Sequence, residues 1–200
     1  MSGLNVAALE ARGVRVEKLS IAAGHCASLS GPSGSGKTLL LRAIADLDDN
    51  QGTVRSGSIV RDRVSGPAWR RAVGYVAAES HWWQPRVGDH ADDWPATLLQ
   101  RFGFGADVLD WEIQRLSSGE RQRLGLIRTL AQAPRGLLLD EPTANLDDDN
   151  TARIEAFIAD WRDETSGWVL WVSHDPEQRL RIASGHYVIT AGKVAPQDAG

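Results

Sequence analysis

Eight consecutive residues, Gly31-Pro32-Ser33-Gly34-Ser35-Gly36-Lys37-Thr38, set glycines, a lysine and a threonine in the spacing of a phosphate-binding P-loop. Glycine lets successive backbone N–H groups turn inward as an anion nest, and a helix N-terminus behind them adds its dipole. Lys37 is long enough to reach β- and γ-phosphates, and the Thr38 hydroxyl is a magnesium ligand by type. The chemistry this predicts is binding of a nucleoside triphosphate.

Such a loop needs an acidic partner for the metal. Leu137-Leu138-Leu139-Asp140-Glu141 supplies an apolar strand that ends in two carboxylates, the Walker B pattern. Asp140 is predicted to hold magnesium directly or through water, and Glu141 to orient or deprotonate the attacking water. Ser117 and Glu120 stand at capping-box spacing before Leu124, Ile127, Leu130 and Ala131, so a helix start with a serine hydroxyl is predicted there, suited to an anion. His174 follows the apolar run Trp171-Val172-Ser173 at a strand end. His25, His81, His90 and His186 show no ligand spacing.

The elements that must position these groups read from the punctuation. Strands are expected at Val14 to Val16, Lys18 to Ile21, His25 to Leu29, Ala72 to Ala77, Gly136 to Leu139, Trp168 to Ser173 and Tyr187 to Thr190. Leu39, Leu40, Ala43, Ile44 and Leu47 repeat at helical spacing until Asp48-Asp49-Asn50, and Ile154, Phe157, Ile158 and Trp161 mark one face of a second helix. Buried strands alternating with helices predict an α/β fold with a largely parallel sheet. From Val87 to Leu116 scattered Pro, Gly and Trp replace that rhythm, which predicts a small helical insertion.

Composition bounds the function. Two hundred residues, 42% hydrophobic and 24% charged, fit one soluble domain over 1–200. A net charge of −4 argues against a surface built for nucleic acid or anionic lipid. Cys26 is the only cysteine, which excludes an internal disulfide and a cysteine zinc site and fits a reducing cytoplasm. No apolar run approaches the roughly 20 residues of a membrane helix. Met1 to Glu10 does not have the pattern of a secretory signal.

Beyond these motifs, Leu116-Ser117-Ser118-Gly119-Glu120-Arg121-Gln122-Arg123 resembles the LSGGQ-x-QR signature of ATP-binding cassette (ABC) transporter ATP-binding subunits, with Ser118 and Glu120 replacing a Gly and a Gln. The order P-loop, signature, Walker B is also that family's order, with Ser117 80 residues after Lys37 and 23 before Asp140. The resemblance implies a P-loop core with a mainly parallel sheet, a small antiparallel β part and a helical subdomain over about 87–130. It implies an ATPase with ATP and magnesium as cofactors and a second ATPase subunit as partner. Ser117, Ser118, Gly119 and Glu120 would then close over the γ-phosphate held by the other subunit's P-loop. It further implies an integral membrane permease, which would place the chain in the cytoplasm at the inner face of the membrane. Ala144-Asn145-Leu146-Asp147 resembles the family's D-loop, and His174 its switch histidine that contacts the γ-phosphate.

Three features depart from that pattern. Ala78 stands where the family places a magnesium-contacting Gln; Glu79, next to it, is a candidate metal ligand or a surface acid, and Gln84 a weaker substitute. No aromatic residue precedes the P-loop to stack on adenine, and Arg12 either lies over the base or points to solvent. The insertion is short and carries Trp82, Trp83, Trp94 and Trp111; Trp94 and Trp111 read as core, and at least one of the adjacent pair as an exposed anchor for the membrane subunit. Two other classes compete, a soluble ABC ATPase and a low-turnover nucleotide-dependent regulatory module.

Overall fold

The phase of the hydrophobic pattern builds the first hairpin. A computed structural model describes residues 3–144 and 146–197. In it β1 (Leu4–Ala11) and β2 (Val14–Ile21) pair antiparallel, each with the same pattern of buried residues, which changes face midway. That phase change split β2 into two expected strands, and it hid β1, whose pairing with a later strand is bulged between Ala7 and Glu10.

Then follow β3 (Cys26–Ser30), α1 (Lys37–Ile44), β4 (Gln51–Ser56), β5 (Ile59–Val60), α2 (Gly66–Ala72) and β6 (Val73–Val76). After these come α3 (Ala96–Arg101), α4 (Ser118–Leu130), β7 (Gly136–Asp140), α5 (Asp148–Thr165), β8 (Trp168–Val172), α6 (Pro176–Ile182), β9 (Gly185–Thr190) and β10 (Lys193–Gln197). Helix α1 stops at Ile44, short of the acidic turn, because Asp46 takes a left-handed φ of 59°; Leu47 lies outside the helix and is partly exposed.

Among the described residues ten strands join one sheet in the order β5-β4-β1-β2-β10-β9-β3-β8-β7-β6. Strands β9, β3, β8, β7 and β6 run parallel, and β5, β4, β1 and β2 form an antiparallel arm. The arm is larger than the sequence pattern suggested, since β1, β4 and β5 carry no clear strand signal.

Strands β3, β7 and β8 are buried on both faces and divide their side chains between two cores. Leu29, Leu138, Leu170 and Val172 pack toward α1, while Leu137, Leu139, Val169 and Trp171 pack toward α4 and α5. Ile154, Phe157, Ile158 and Trp161 all turn inward from α5. Trp168 fills the first core, and its indole N–H donates to Ser56 Oγ at 2.9 Å, tying the parallel sheet to the arm. Trp94 and Trp111 are only half-buried at the rim of the second core, a correction to the core reading. Their indole nitrogens bond to Gly88 O and Asp107 Oδ2, and a polar tip of that kind draws the ring outward.

Candidate functional site

Strand β3 delivers the chain to Gly31, and α1 starts at Lys37, so the glycine loop is a strand-to-helix turn. Gly31, Gly34 and Gly36 take φ of 147°, 73° and 105°, which only glycine adopts without strain. A Cβ at Gly36 would lie 2.6 Å from Val14 Cγ2, so the arm packs directly under the loop.

Helix α1 has Gly36 as its N-cap, no side-chain cap and no acid in its first turn, so its leading N–H groups face outward unclaimed. Ser35 Oγ is buried without a partner among the described residues. Lys37 is buried, and its ammonium donates to the loop carbonyls of Gly31 at 2.9 Å and Pro32 at 3.1 Å. Unclaimed donors, an orphan hydroxyl and a cation folded over a glycine cradle suit a polyphosphate.

Beside the loop, Thr38 Oγ1 donates to Asp140 Oδ2 at 2.7 Å, and Tyr75 Oη donates to the same oxygen at 3.3 Å. Asp140 ends β7 almost fully buried. Burial raises its carboxyl above the ordinary range, the Thr38 hydrogen bond opposes this, and the charge of Glu141 adds to it. Burial and the Asp140 carboxylate push the Tyr75 phenol up, so it stays a donor. The groups that meet beside the loop, from Thr38, Tyr75 and Asp140, are all oxygen, the donor type magnesium prefers, and this ion asks for few protein ligands beside phosphates and water. Among the described residues no cluster of three His, Cys, Asp or Glu competes as a metal centre.

Glu141 takes a left-handed φ of 49°, while its N–H donates to Val172 O on β8 at 3.2 Å. The turn aims its carboxylate at His174, and Oε1 lies 2.9 Å from Nε2. His174 sits on a turn held by Ser173 Oγ, which accepts from Asp175 N, and by Asp175, the N-cap of α6. The two groups line a hollow of about 260 Å3 with Asp175 and Gln178. Gln178 is buried and donates to Thr143 Oγ1 at 3.0 Å and to Glu155 Oε1 at 2.8 Å, bracing the loop after Glu141 against α5 and α6. A hollow of about 630 Å3 between α5 and α6 lies away from the phosphate loop, as expected where the ligand rests on a shallow backbone cradle.

The expected capping box forms. Ser117 Oγ accepts from Glu120 N at 3.2 Å, Glu120 Oε2 accepts from Ser117 N at 2.8 Å, and the Ser117 hydroxyl also donates to that carboxylate at 2.9 Å. Ser117 and Ser118 are exposed, with Gly119 and Glu120 half-exposed behind them, so the motif faces outward. Gln122, buried on α4, accepts from Ser80 Oγ and donates to Ala77 O at 3.0 Å, fastening the signature helix to the loop after β6.

That loop does not bring Glu79 to the metal oxygens. Glu79 is exposed and makes no hydrogen bond to Thr38 or Asp140 among the described residues; Tyr75 on β6 does reach Asp140. The backbone N–H groups of Trp83 and Gln84 both donate to His90 Nε2 at 2.9 Å. Trp83 is 65% exposed and Trp82 half-buried, as the adjacent pair required. Arg12 is exposed and lies 3.8 Å from Asp48, so its guanidinium has an acidic neighbour. In the segment Ala144 to Asp147, Asn145 falls outside the described residues; Asp147 caps α5 by accepting from Asn150 N at 2.7 Å. Sequence reasoning missed Tyr75 and Gln178. For Tyr75 a signal existed, a polar side chain on a strand running beside the acidic one; for Gln178 there was none.

A family model described as ABC transporter matches residues 15–144. Among curated relatives, the chain is 33% identical over 199 residues to a molybdenum import ATP-binding protein of Mesorhizobium japonicum, covering 90% of this chain and 53% of that protein. It is 31% identical over 228 residues to a phosphate import ATP-binding protein of Aeropyrum pernix, covering 97% of this chain and 87% of that one. An aliphatic sulfonates import ATP-binding protein of Burkholderia pseudomallei is 35% identical, with 88% of this chain and 55% of that protein covered. The chain thus spans about half the length of the molybdenum and sulfonate proteins it matches. Among solved structures, an ATP-binding subunit of an ABC transporter superposes with a TM-score of 0.86 at 17% identity, over 97% of this chain and 89% of that one. A dimeric ATP-binding cassette in a post-hydrolysis state with ADP and Pi gives 0.82 at 20% identity, over 98% and 99%. The P-loop α/β fold with its antiparallel arm is common to all three chains.

Proposed function

From the premise that the chain belongs to the ABC transporter family, we propose that it is an ATP-hydrolysing subunit that dimerises on ATP and powers a separate membrane permease. The observation that carries this reading is the meeting of Thr38 with Asp140 at the P-loop and of Glu141 with His174 one turn further on.

The residues divide the work. Gly31 to Gly36 and the start of α1 cradle the phosphates, with Pro32, Ser33 and Ser35 shaping the loop between the glycines. Lys37 leaves the loop carbonyls for the stronger phosphate acceptors and offsets their charge. Thr38 and Asp140 would hold magnesium, which when bound supplies charge neutralisation across the phosphates. For Glu79 to join them, its exposed loop must fold inward. Glu141 accepts the proton of the attacking water, and His174 fixes the carboxylate's direction and faces the γ-phosphate.

Ser117 to Glu120 present a helix N-terminus outward, where the P-loop of a second subunit can meet it. Among the described residues no helix is long and apolar enough to cross a membrane. Exposed Trp83 and Leu47, which line one hollow, offer a surface for a permease, which would hold the chain at the cytoplasmic face. The relatives above are named for import, which favours uptake as the direction. Nucleic acid is not among the proposed partners.

The test is magnesium-dependent ATP hydrolysis by the purified chain and its Lys37→Ala variant. Loss of nucleotide binding and turnover in the variant is the expected result; unchanged turnover rejects the P-loop assignment.

A further inference from the structure

We infer that Tyr75 is a positioning residue for Asp140, its hydroxyl fixing the plane of the carboxylate that would hold magnesium. The inference rests on the ATPase reading above.

The register of the sheet makes the contact possible. Strands β6 and β7 are parallel, with Tyr75 opposite Leu138, so Asp140 lies two residues further along the neighbouring strand. Residues two apart on a strand share a face, and a diagonal neighbour lies within reach of an aromatic side chain. The phenol ring packs against the core beside α1, and its hydroxyl extends past that packing to Asp140 Oδ2 at 3.3 Å.

One hydrogen bond leaves a carboxylate free to swing about its Cβ–Cγ bond. Asp140 Oδ2 takes two, from Thr38 on α1 and from Tyr75 on β6. Donors on two separate elements restrain the plane, and Oδ1, which accepts no hydrogen bond among the described residues, is left for a metal. Ala78, two residues past the end of β6, carries only a methyl group and Glu79 is exposed, so among the described residues no other side chain from β6 or its following loop hydrogen-bonds this carboxylate. Packing and positioning are separable here: phenylalanine at 75 keeps the ring and loses the hydroxyl.

The experiment compares wild type with Tyr75→Phe, Tyr75→Leu and Asp140→Asn. Manganese binding is followed by electron paramagnetic resonance in the presence of a non-hydrolysable ATP analogue. Nucleotide binding without metal and the melting temperature of the apo chain are measured beside it. Tyr75→Phe should weaken manganese binding by about five- to tenfold, the range for an ordinary protein hydrogen bond, since 3.3 Å is longer than a charge-assisted one. The magnesium concentration for half-maximal hydrolysis should rise by the same factor, with metal-free nucleotide binding and melting temperature unchanged. Tyr75→Leu should show the metal defect and melt earlier as well. If Tyr75→Phe binds manganese like wild type, or loses metal-free nucleotide binding in parallel, the positioning role is wrong while the ATPase reading stands. If wild type itself binds no manganese with the analogue, both fall.

Discussion

Glu141 Oε1 lies 2.9 Å from His174 Nε2, and the residue that brings it there is held at a φ of 49°. A non-glycine residue in the left-handed region costs about 1 kcal/mol or more, and the surroundings must hold it. The bond from Glu141 N to Val172 O does so, since it continues the β7–β8 ladder one residue beyond Asp140. Strain at this point turns Glu141 out of the sheet, away from buried Asp140, and separates two adjacent carboxylates into two tasks.

Glu141→Gln is therefore expected to keep ATP binding and to lower kcat by about a hundredfold or more, since the amide cannot accept the water's proton. ATP that is bound and not hydrolysed should hold two chains together. Size-exclusion chromatography of the variant with ATP should show a dimer; a monomer at high protein concentration would contradict the assembly proposed for the isolated chain.

The phosphate loop, the acidic strand end, the capping box and the inward face of α5 were legible because each is local, written in consecutive residues or one helical period. The antiparallel arm was not. The burial pattern of β1 changes face midway and β5 is two residues long, so neither shows a period that a linear reading can find. Tyr75 and Asp140 are 65 residues apart, and Gln178 and Thr143 are 35 apart. Their contacts exist only once parallel strands set the register. Glu79 was chosen for being next to Ala78 in sequence, but the chain leaves the sheet after Val76 and carries it into solvent.

Gly136 opens β7 against the face of Trp168, and a Cβ at that position would run into the indole ring. Trp168 has little freedom to yield, because its N–H is committed to Ser56 Oγ. Gly136→Ala should destabilise the fold by about 3 kcal/mol, toward the upper end of overpacking costs. Denaturant unfolding would measure it, and a loss below about 0.5 kcal/mol would mean that the ring can shift.

Cys26 is buried on β3, and burial pushes its thiol up from 9.0 to about 12, with Arg162 opposing weakly. The native chain should thus be inert to an aromatic disulfide reagent at pH 8, while the chain unfolded in guanidinium should release one equivalent. The sign for stability follows from proton count. Above about pH 9 the unfolded thiol ionises and the native one does not, so stability held below that pH is lost as pH rises toward 12. A Cys26→Ala variant should lack this part of the alkaline slope; an identical slope would place its origin elsewhere.

Trp83 leaves 65% of its surface in water, yet its position is tightly specified. Its backbone N–H and that of Gln84 both donate to His90 Nε2, whose other ring nitrogen contacts Arg86 O at 2.8 Å. The Arg128 guanidinium lies 4.6 Å from the Trp82 ring centre and 4.9 Å from that of Trp83, clamping the pair from α4. An exposed aromatic held in this way binds at low entropic cost, because its rotamer is already fixed. Helix α4 is capped by Ser117, so the helix that holds Trp83 through Arg128 also carries the Ser117 to Glu120 motif. Trp83→Ala should leave basal ATP hydrolysis of the isolated chain within about twofold of wild type. Against the membrane permease proposed above as its partner, the same variant should bind at least tenfold more weakly, the cost of removing an aromatic anchor that binding would bury. Surface plasmon resonance against the detergent-solubilised permease would measure this, and equal affinity for both forms would remove Trp83 from the interface.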